Sequence, residues 1–290
     1  MCDGAGIDAL WVRDHLAARD GEPRLEAWTA LTLVSSAVLR ARTGATMTTE
    51  LRPVATLAAM AGTLDAAIGG RLELCLSAGS FLVGKDLRHY ADRLRVLLSG
   101  GTVPLGSDTQ AELGVASPQP GGPPLSVEAR TSEQIDVAAQ IADDVLLPAG
   151  TVADLVAATA EVRAACDRVG RDPATLGIAL GAPLSIGRTR AEAEARAHGE
   201  SLFDVLGSPS QVGVFGTLEE CQERVVELAH AGISDLRFVL PNNPDIHDVI
   251  AQITAIAVGT VDVLTPGAPR SKDPDPPETW GGRRDRPATG

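Results

Sequence analysis

Aromatic residues make up only 3% of this 290-residue chain, and lysine occurs at just two positions, Lys85 and Lys272. A core this poor in Phe and Tyr must be packed from Ala, Val, Leu and Ile, small side chains that suit tight helix-on-sheet layers. Positive charge is scarce as well: 25 Lys and Arg stand against 38 Asp and Glu, a formal net charge of −13. Such a chain lacks the basic footprint that draws phosphate backbones, so nucleic acid is not an expected partner. The four cysteines, Cys2, Cys75, Cys166 and Cys221, lie far apart and match neither a C-x-x-C nor a metal-ligand spacing. They are expected as reduced thiols of the core and of helices, and no metal site is expected. No secretory leader opens the chain, and the uncharged stretch Val249–Val261 is too short to span a bilayer. The expectation is a cytoplasmic protein without a membrane segment. A G-x-S-x-G elbow is missing, and Gly100-Gly101 and Gly121-Gly122 lack the strand-to-helix setting of a dinucleotide fingerprint.

What the chain does have is alternation. Short apolar runs at Ala9–Arg13, Arg40–Thr48, Arg71–Leu76, Leu125–Ala129, Asp144–Leu147, Leu176–Leu180 and Leu236–Leu240 read as strands. Between them, Leu25–Val38, Pro53–Ala67, Leu87–Leu98, Ser132–Ala142, Val152–Val169 and Leu218–Ala231 read as helices. Thr131-Ser132-Glu133 and Thr217-Leu218-Glu219-Glu220 place a hydroxyl cap before acidic first-turn residues. Alternating near-continuous apolar strands with helices implies a parallel sheet covered by helices, and this many units over such a length fit an α/β chain with a (β/α)8 barrel. The barrel is expected over residues 1–264, followed by a disordered tail, Thr265–Gly290, which holds six prolines and Trp280 as its one large apolar residue. Two features depart from a complete barrel. Met1 to Gly6 reads as a helix end running into the strand at Ala9, which leaves the first strand absent. Gly100–Pro124 reads as a long loop without periodicity, either functional or a remnant of a deletion.

Several segments resemble one family in collinear order over roughly residues 4–250. Gly6-Ile7-Asp8-Ala9-Leu10-Trp11-Val12-Arg13-Asp14-His15 resembles the G-F-D-S-L-W-V-x-D-H segment on the second strand of luciferase-like monooxygenases and deazaflavin-dependent oxidoreductases. Leu25-Glu26-Ala27-Trp28-Thr29 resembles the start of their next helix, and Thr43-Gly44-Ala45-Thr46-Met47-Thr48 their L-G-T-x-V-T strand. Thr63 to Gly79 is similar to T-L-D-x-x-S-G-G-R-L-x-L-G-x-G-A-G. Val137-Ala138-Ala139-Gln140-Ile141-Ala142-Asp143 resembles L-A-A-R-Y-A-D, and Phe215 to Glu220 with Ala231-Gly232-Ile233 resembles the closing G-T-P-E-E…A-G-V unit.

The resemblance implies coenzyme F-420 or FMN as cofactor, its ring across the C-terminal mouth of the barrel, where barrel enzymes carry their sites. It implies His15 as a ring-binding or proton-donating residue, suited by the near-neutral pKa of imidazole, with Asp14 contacting ring polar atoms. The other histidines, His89, His198, His230 and His247, are expected without function. Thr46, Met47 and Thr48 occupy the strand end where family members carry a strained cis peptide under the cofactor. Ser77, Ala78 and Gly79 follow the next strand, where the family brings backbone close to the ring. Cys75 and Ser77 replace two of its glycines, Ser80 replaces its usual aromatic, and the glutamate that several deazaflavin enzymes place nearby has no equivalent. The family's phosphate-binding turn aligns with Glu128-Ala129-Arg130-Thr131-Ser132. Arg130, Thr131 and Ser132 offer a cation, hydroxyls and a helix end, while Glu128 adds a negative charge.

Two function classes follow. One is an oxidoreductase that uses reduced deazaflavin or reduced FMN to move a hydride, or to activate oxygen, on a small organic substrate; the Arg-rich, Lys-poor coding bias favours the deazaflavin. The other is a degenerate, non-catalytic barrel acting as a cofactor-binding or subunit-partner protein, its open edge covered by a second copy or by a different subunit. A coding start upstream of Met1 is a third reading of the absent strand. Fold analogy names no substrate.

Overall fold

The structure is a computed structural model that describes residues 6–14, 25–78, 84–106, 108–197, 208–240 and 246–264. Its main sheet contains β1 (Ala9–Arg13), β2 (Arg42–Thr48), β3 (Leu72–Ser77), β6 (Leu125–Glu128), β7 (Asp144–Leu147), β8 (Gly177–Ile186), β9 (Val214–Gly216) and β10 (Asp235–Val239). All pairings in it are parallel, in the order β1-β2-β3-β6-β7-β8-β10, with β9 added to the far end of β8. A separate antiparallel pair joins β4 (Val103–Pro104) to β5 (Gln110–Ala111). The helices are α1 (Ala27–Ala37), α2 (Val54–Ala67), α3 (Gly84–Leu98), α4 (Ser132–Ile141), α5 (Val152–Val169), α6 (Arg190–Ala197), α7 (Pro209–Val212), α8 (Leu218–His230) and α9 (Ile246–Leu264). The result is a parallel sheet nearly closed into a TIM-type barrel.

The expected elements are present with end shifts of a few residues, except β8. That strand runs past Leu180 to Ile186. Pro183 interrupts the apolar pattern, and a proline inside a strand normally argues against one. Here it stands where β8 changes neighbour: Val239 of β10 is opposite Pro183, and Val214 of β9 is opposite Leu184. The caps form as read. Thr131 accepts the Gln134 N–H at 3.3 Å, and Thr217 and Glu220 form a reciprocal capping box on α8.

Strand alternation sorts side chains into two layers. Leu72, Leu74 and Leu76 of β3, Val127 of β6, Val145 of β7 and Leu180 of β8 pack between sheet and helices, joined by Leu57, Leu87 and Leu94. On the opposite face, Trp11, Cys75, Leu146 and Ala179 form their own cluster inside the barrel. A Cβ on Gly44 would stand 2.7 Å from three ring atoms of Trp11, so the glycine lets the indole lie across β2.

The segment from Thr63 to Ser77 earns its pattern structurally. Asp65, fully buried, accepts the Leu72 N–H at 3.0 Å and Gln119 Nε2 at 3.0 Å, and takes the Ser117 hydroxyl. Gly69 and Gly70 have φ of 71° and 80°, the left-handed turn that leads α2 into β3. Arg71 then ties the turn to the preceding unit through the carbonyls of Val38, Ala41 and Ile68. Gly100–Pro124 is therefore anchored: Ser117 and Gln119 dock it on Asp65, and Gln119 also donates to the Leu72 carbonyl at 2.9 Å.

Among the described residues no ladder joins β1 to β10.

Candidate active site

The C-terminal ends of β1, β2, β3 and β6 carry most of the residues that the motifs single out. His15 and Gly79 lie outside the described residues. Asp14 has a fully buried side chain whose Oδ2 pairs with Arg52 and accepts the Thr48 N–H at 3.3 Å. Its own N–H donates to the Thr46 carbonyl at 2.9 Å. Arg52 also pairs with Glu26, the N-cap of α1, which receives the N–H groups of Trp28 (3.1 Å) and Thr29 (2.7 Å). Asp14 thus braces the end of β1 against the turn after β2 and the start of α1. Its Oδ1 is buried with no partner among the described residues.

Thr46 points into the barrel and is nearly buried, and Thr48 stands at the rim. Met47 faces the other way, wholly enclosed between sheet and helices. No cis peptide bond occurs among the described residues. Ser77 ends β3 beside Glu128, while Ala78 is buried in the sheet–helix layer.

Glu128 is the centre of the mouth. Alternation along β6 turns it inward with Ser126, so its charge does not face the turn before α4. Arg13 Nη2 donates to both of its oxygens, at 2.6 and 2.9 Å, and Arg130 Nη2 donates at 2.9 Å. Burial pushes this carboxyl up, but Arg13, the Ser77 hydroxyl and Arg130 together hold it below the usual carboxylate range. Thr131 caps α4, and the Arg130 N–H donates to Gln134 Oε1 at 2.7 Å. The N–H groups of Ser132 and Glu133, in the first turn of α4, stay outside the helix ladder by geometry. Arg13 and Arg130, with 41% and 57% of their side chains exposed, thus reach solvent beside a helix N-terminus around an already neutralised carboxylate.

Below the mouth the interior is polar, unlike the branched aliphatic layers usual in such barrels. The Arg237 guanidinium lies 3.8 Å from the Trp11 ring centroid and donates to Ser126 at 3.0 Å and Asp235 at 3.0 Å. Cys75 is held as a thiol: burial pushes its pKa up to about 12, only partly offset by Arg237. Asp144 is raised by burial, with Arg237 opposing and Asp235 and Glu73 reinforcing. Trp11, Arg13, Ser126 and Arg237 were not singled out from the chain. Alternation along β1, β6 and β10 puts them on one face of each strand, but a charged residue in a short strand reads alike on either face, so the chain gave no sign that this face lines the barrel. Among the described residues no three His, Cys, Asp or Glu side chains gather to hold a metal, and no helix is long and apolar enough to cross a membrane.

Residues 1–209 match the model of a family described as luciferase-like monooxygenase. The chain is 25% identical over 226 residues to the 5,10-methylenetetrahydromethanopterin reductase of Methanolobus tindarius, covering 73% of this chain and 67% of that protein. It spans about two thirds of the length of the curated relatives it matches. Among solved structures, the coenzyme F-420-dependent tetrahydromethanopterin reductase from Methanopyrus kandleri superimposes with a TM-score of 0.74 at 17% identity, covering 87% of this chain and 91% of that one. An F-420-dependent secondary alcohol dehydrogenase, solved with an F-420–acetone adduct, gives 0.76 at 15% identity, with 89% and 92% covered. At these identities the likeness establishes the fold.

Proposed function

Because this chain belongs to the luciferase-like monooxygenase family, we propose that it is an oxidoreductase that binds coenzyme F-420, or in second place FMN, at the C-terminal mouth of its barrel and acts on a small organic substrate. The observation that carries this reading is the pair of half-exposed guanidiniums, Arg13 and Arg130, gathered on buried Glu128 beside the N-terminus of α4. That donor set fits a cofactor with an anionic tail. Two cations and first-turn N–H groups outside the helix ladder suit phosphate oxygens, and the Glu128 carboxylate is neutralised from within, as Asp14 is by Arg52. The bound ring would supply hydride transfer.

The chain's own residues hold and shape the site. Arg13 and Arg130 bind the polar or anionic edge of the cofactor, Thr48 and Ser77 lend rim hydroxyls, and Ser132 opens the helix end. Asp14 keeps the end of β1 in place through Arg52 and is a positioning residue. Trp11, Leu146 and the Arg237–Ser126 contact line the barrel beneath the mouth. His15 is the proposed proton donor, by its place next to Asp14 in the chain.

The deazaflavin takes first place because the relatives described above are a 5,10-methylenetetrahydromethanopterin reductase and two F-420-dependent enzymes. The test is equilibrium titration of the purified chain with oxidised coenzyme F-420 and, separately, with FMN, followed by ring fluorescence. Saturable binding of one of them, weakened by Arg13→Met, is expected. Failure of both to bind at tens of micromolar would refute the proposal.

A further inference from the structure

Arg13 and Glu128 meet across the mouth of the barrel rather than along its rim. β2 and β3 lie between β1 and β6, three inter-strand steps or roughly 14 Å along the sheet, so the two side chains reach each other over the inside of the mouth. Glu128 keeps 5% of its side chain exposed, whereas Arg13 keeps 41%. Two guanidiniums on one carboxylate leave one positive charge in excess, in a chain whose net charge is −13. The described groups around the pair leave that excess standing. Thr46 and Thr48 of β2 carry no charge, and Cys75 of β3 is kept by burial as a neutral thiol. Leu146, Gly181 and Val239, on the inner faces of β7, β8 and β10, carry none either. Asp14 is paired with Arg52, which also holds Glu26. Deeper in the barrel, Arg237 is engaged with Ser126, Asp235 and the Trp11 ring, and Asp144 lies one inner position below Leu146.

The two cations differ in place. Arg130 stands past the end of β6, beside the first turn of α4, where phosphate oxygens find N–H groups. Arg13 spans the mouth itself, with Trp11 two residues earlier on the same inner face of β1. Resting on the cofactor reading above, we infer that the two guanidiniums divide the cofactor between them: Arg130 takes the anionic tail, and Arg13 is the counter-ion of the ring, which it holds in its deprotonated form. A cation beside an acidic O–H or N–H stabilises the base that remains when the bond gives its proton to solvent. In oxidised F-420 that group is the ring hydroxyl, which becomes a phenolate; in FMN it is the ring N3–H. Glu128 is a positioning residue: it aims Arg13 across the mouth and sets how much of the positive charge the ring feels.

The test is an absorbance titration against pH of oxidised F-420 bound to the full chain, compared with free F-420. The bound ring hydroxyl is expected to hold its proton about tenfold less tightly than the free one, and Arg13→Met to remove the difference. Arg13→Lys, which keeps the charge, should restore most of it, a result that a merely structural arginine would not give. Glu128→Gln keeps an acceptor for Arg13 but removes the opposing charge, and should enlarge the difference. Arg130→Met should weaken binding of F-420 and leave the difference as it was. The difference should also persist in His15→Ala, which separates the guanidinium from the imidazole. If FMN alone binds, the same comparison is made on its N3–H. A ring proton held as tightly as in the free cofactor, or more tightly, would overturn the inference. So would a difference that survives Arg13→Met, or one that Arg130→Met or His15→Ala abolishes. Absence of binding by both cofactors refutes the proposed function and this inference with it, whereas binding with an unaltered ring proton refutes this inference alone.

Discussion

Glu128 gathers two guanidiniums and the Ser77 hydroxyl on one buried carboxylate, and each of those partners comes from a different part of the chain. Position in the chain placed Glu128 at a phosphate-binding turn; its direction came only from counting alternate residues along β6, where Ser126 and Glu128 share the inner face. Alignment gives place and alternation gives orientation, and here the second changes the meaning of the first. Glu128→Gln removes the charge that Arg13 and Arg130 neutralise and is expected to cost about 1–2 kcal/mol, at the low end for a buried pair because both cations keep water. Since the folded carboxyl sits below its ordinary value, that contribution is fully present above about pH 4.3 and is lost as the pH falls through the lower folded value. Urea unfolding of both proteins at a series of pH values should show a constant gap that closes only in that acid range. Cys75 supplies a second check. A thiol pushed up to about 12 inside the barrel should resist iodoacetamide at pH 8 in the native chain and react fully in urea, as peptide mass spectrometry would reveal. Modification of native Cys75 would mean that the interior is open to solvent.

At the scale of elements, the motif from Thr63 to Gly79 was legible as ancestry but not as mechanics. Nothing in the residue string links Asp65 to Ser117 and Gln119, which lie more than fifty positions away, because a contact between a helix and a distant loop leaves no local period. For the same reason the loop Gly100–Pro124 read only as a stretch without periodicity, either functional or a remnant of a deletion. Asp65→Ala would strand the Leu72 N–H and the loop donors, and is expected to cost about 3 kcal/mol in urea unfolding while leaving cofactor affinity unchanged. Asp144 behaves in the opposite sense. Its carboxyl is raised by burial, so the folded state holds the proton more tightly and the charge destabilises the fold above the raised value. Asp144→Asn should therefore raise the Tm at pH 7, with the gain shrinking toward about pH 4. A loss at pH 7 would show that Asp144 has a partner of its own when charged.

At the scale of the whole molecule, alternating strands and helices were enough to read the barrel, because every β/α unit repeats the same apolar period. The polar interior was not legible, because a charged residue inside a short strand looks the same whether it faces solvent or the barrel axis. Small side chains make this interior possible: Gly44 yields room for the Trp11 indole, and Arg237 stacks on it. Gly44→Ala would force the indole off β2 and should lower the Tm by several degrees, about the shift that 1–2 kcal/mol produces in a chain of this size. That the mouth around Arg13, Glu128 and Arg130 holds the cofactor, as proposed, can be checked by a crystal structure of the chain grown with oxidised coenzyme F-420. The expected result is the ring across the C-terminal ends of β1, β3 and β6 with its anionic tail at Arg130 and the start of α4. Cofactor bound at any other face of the barrel would contradict it.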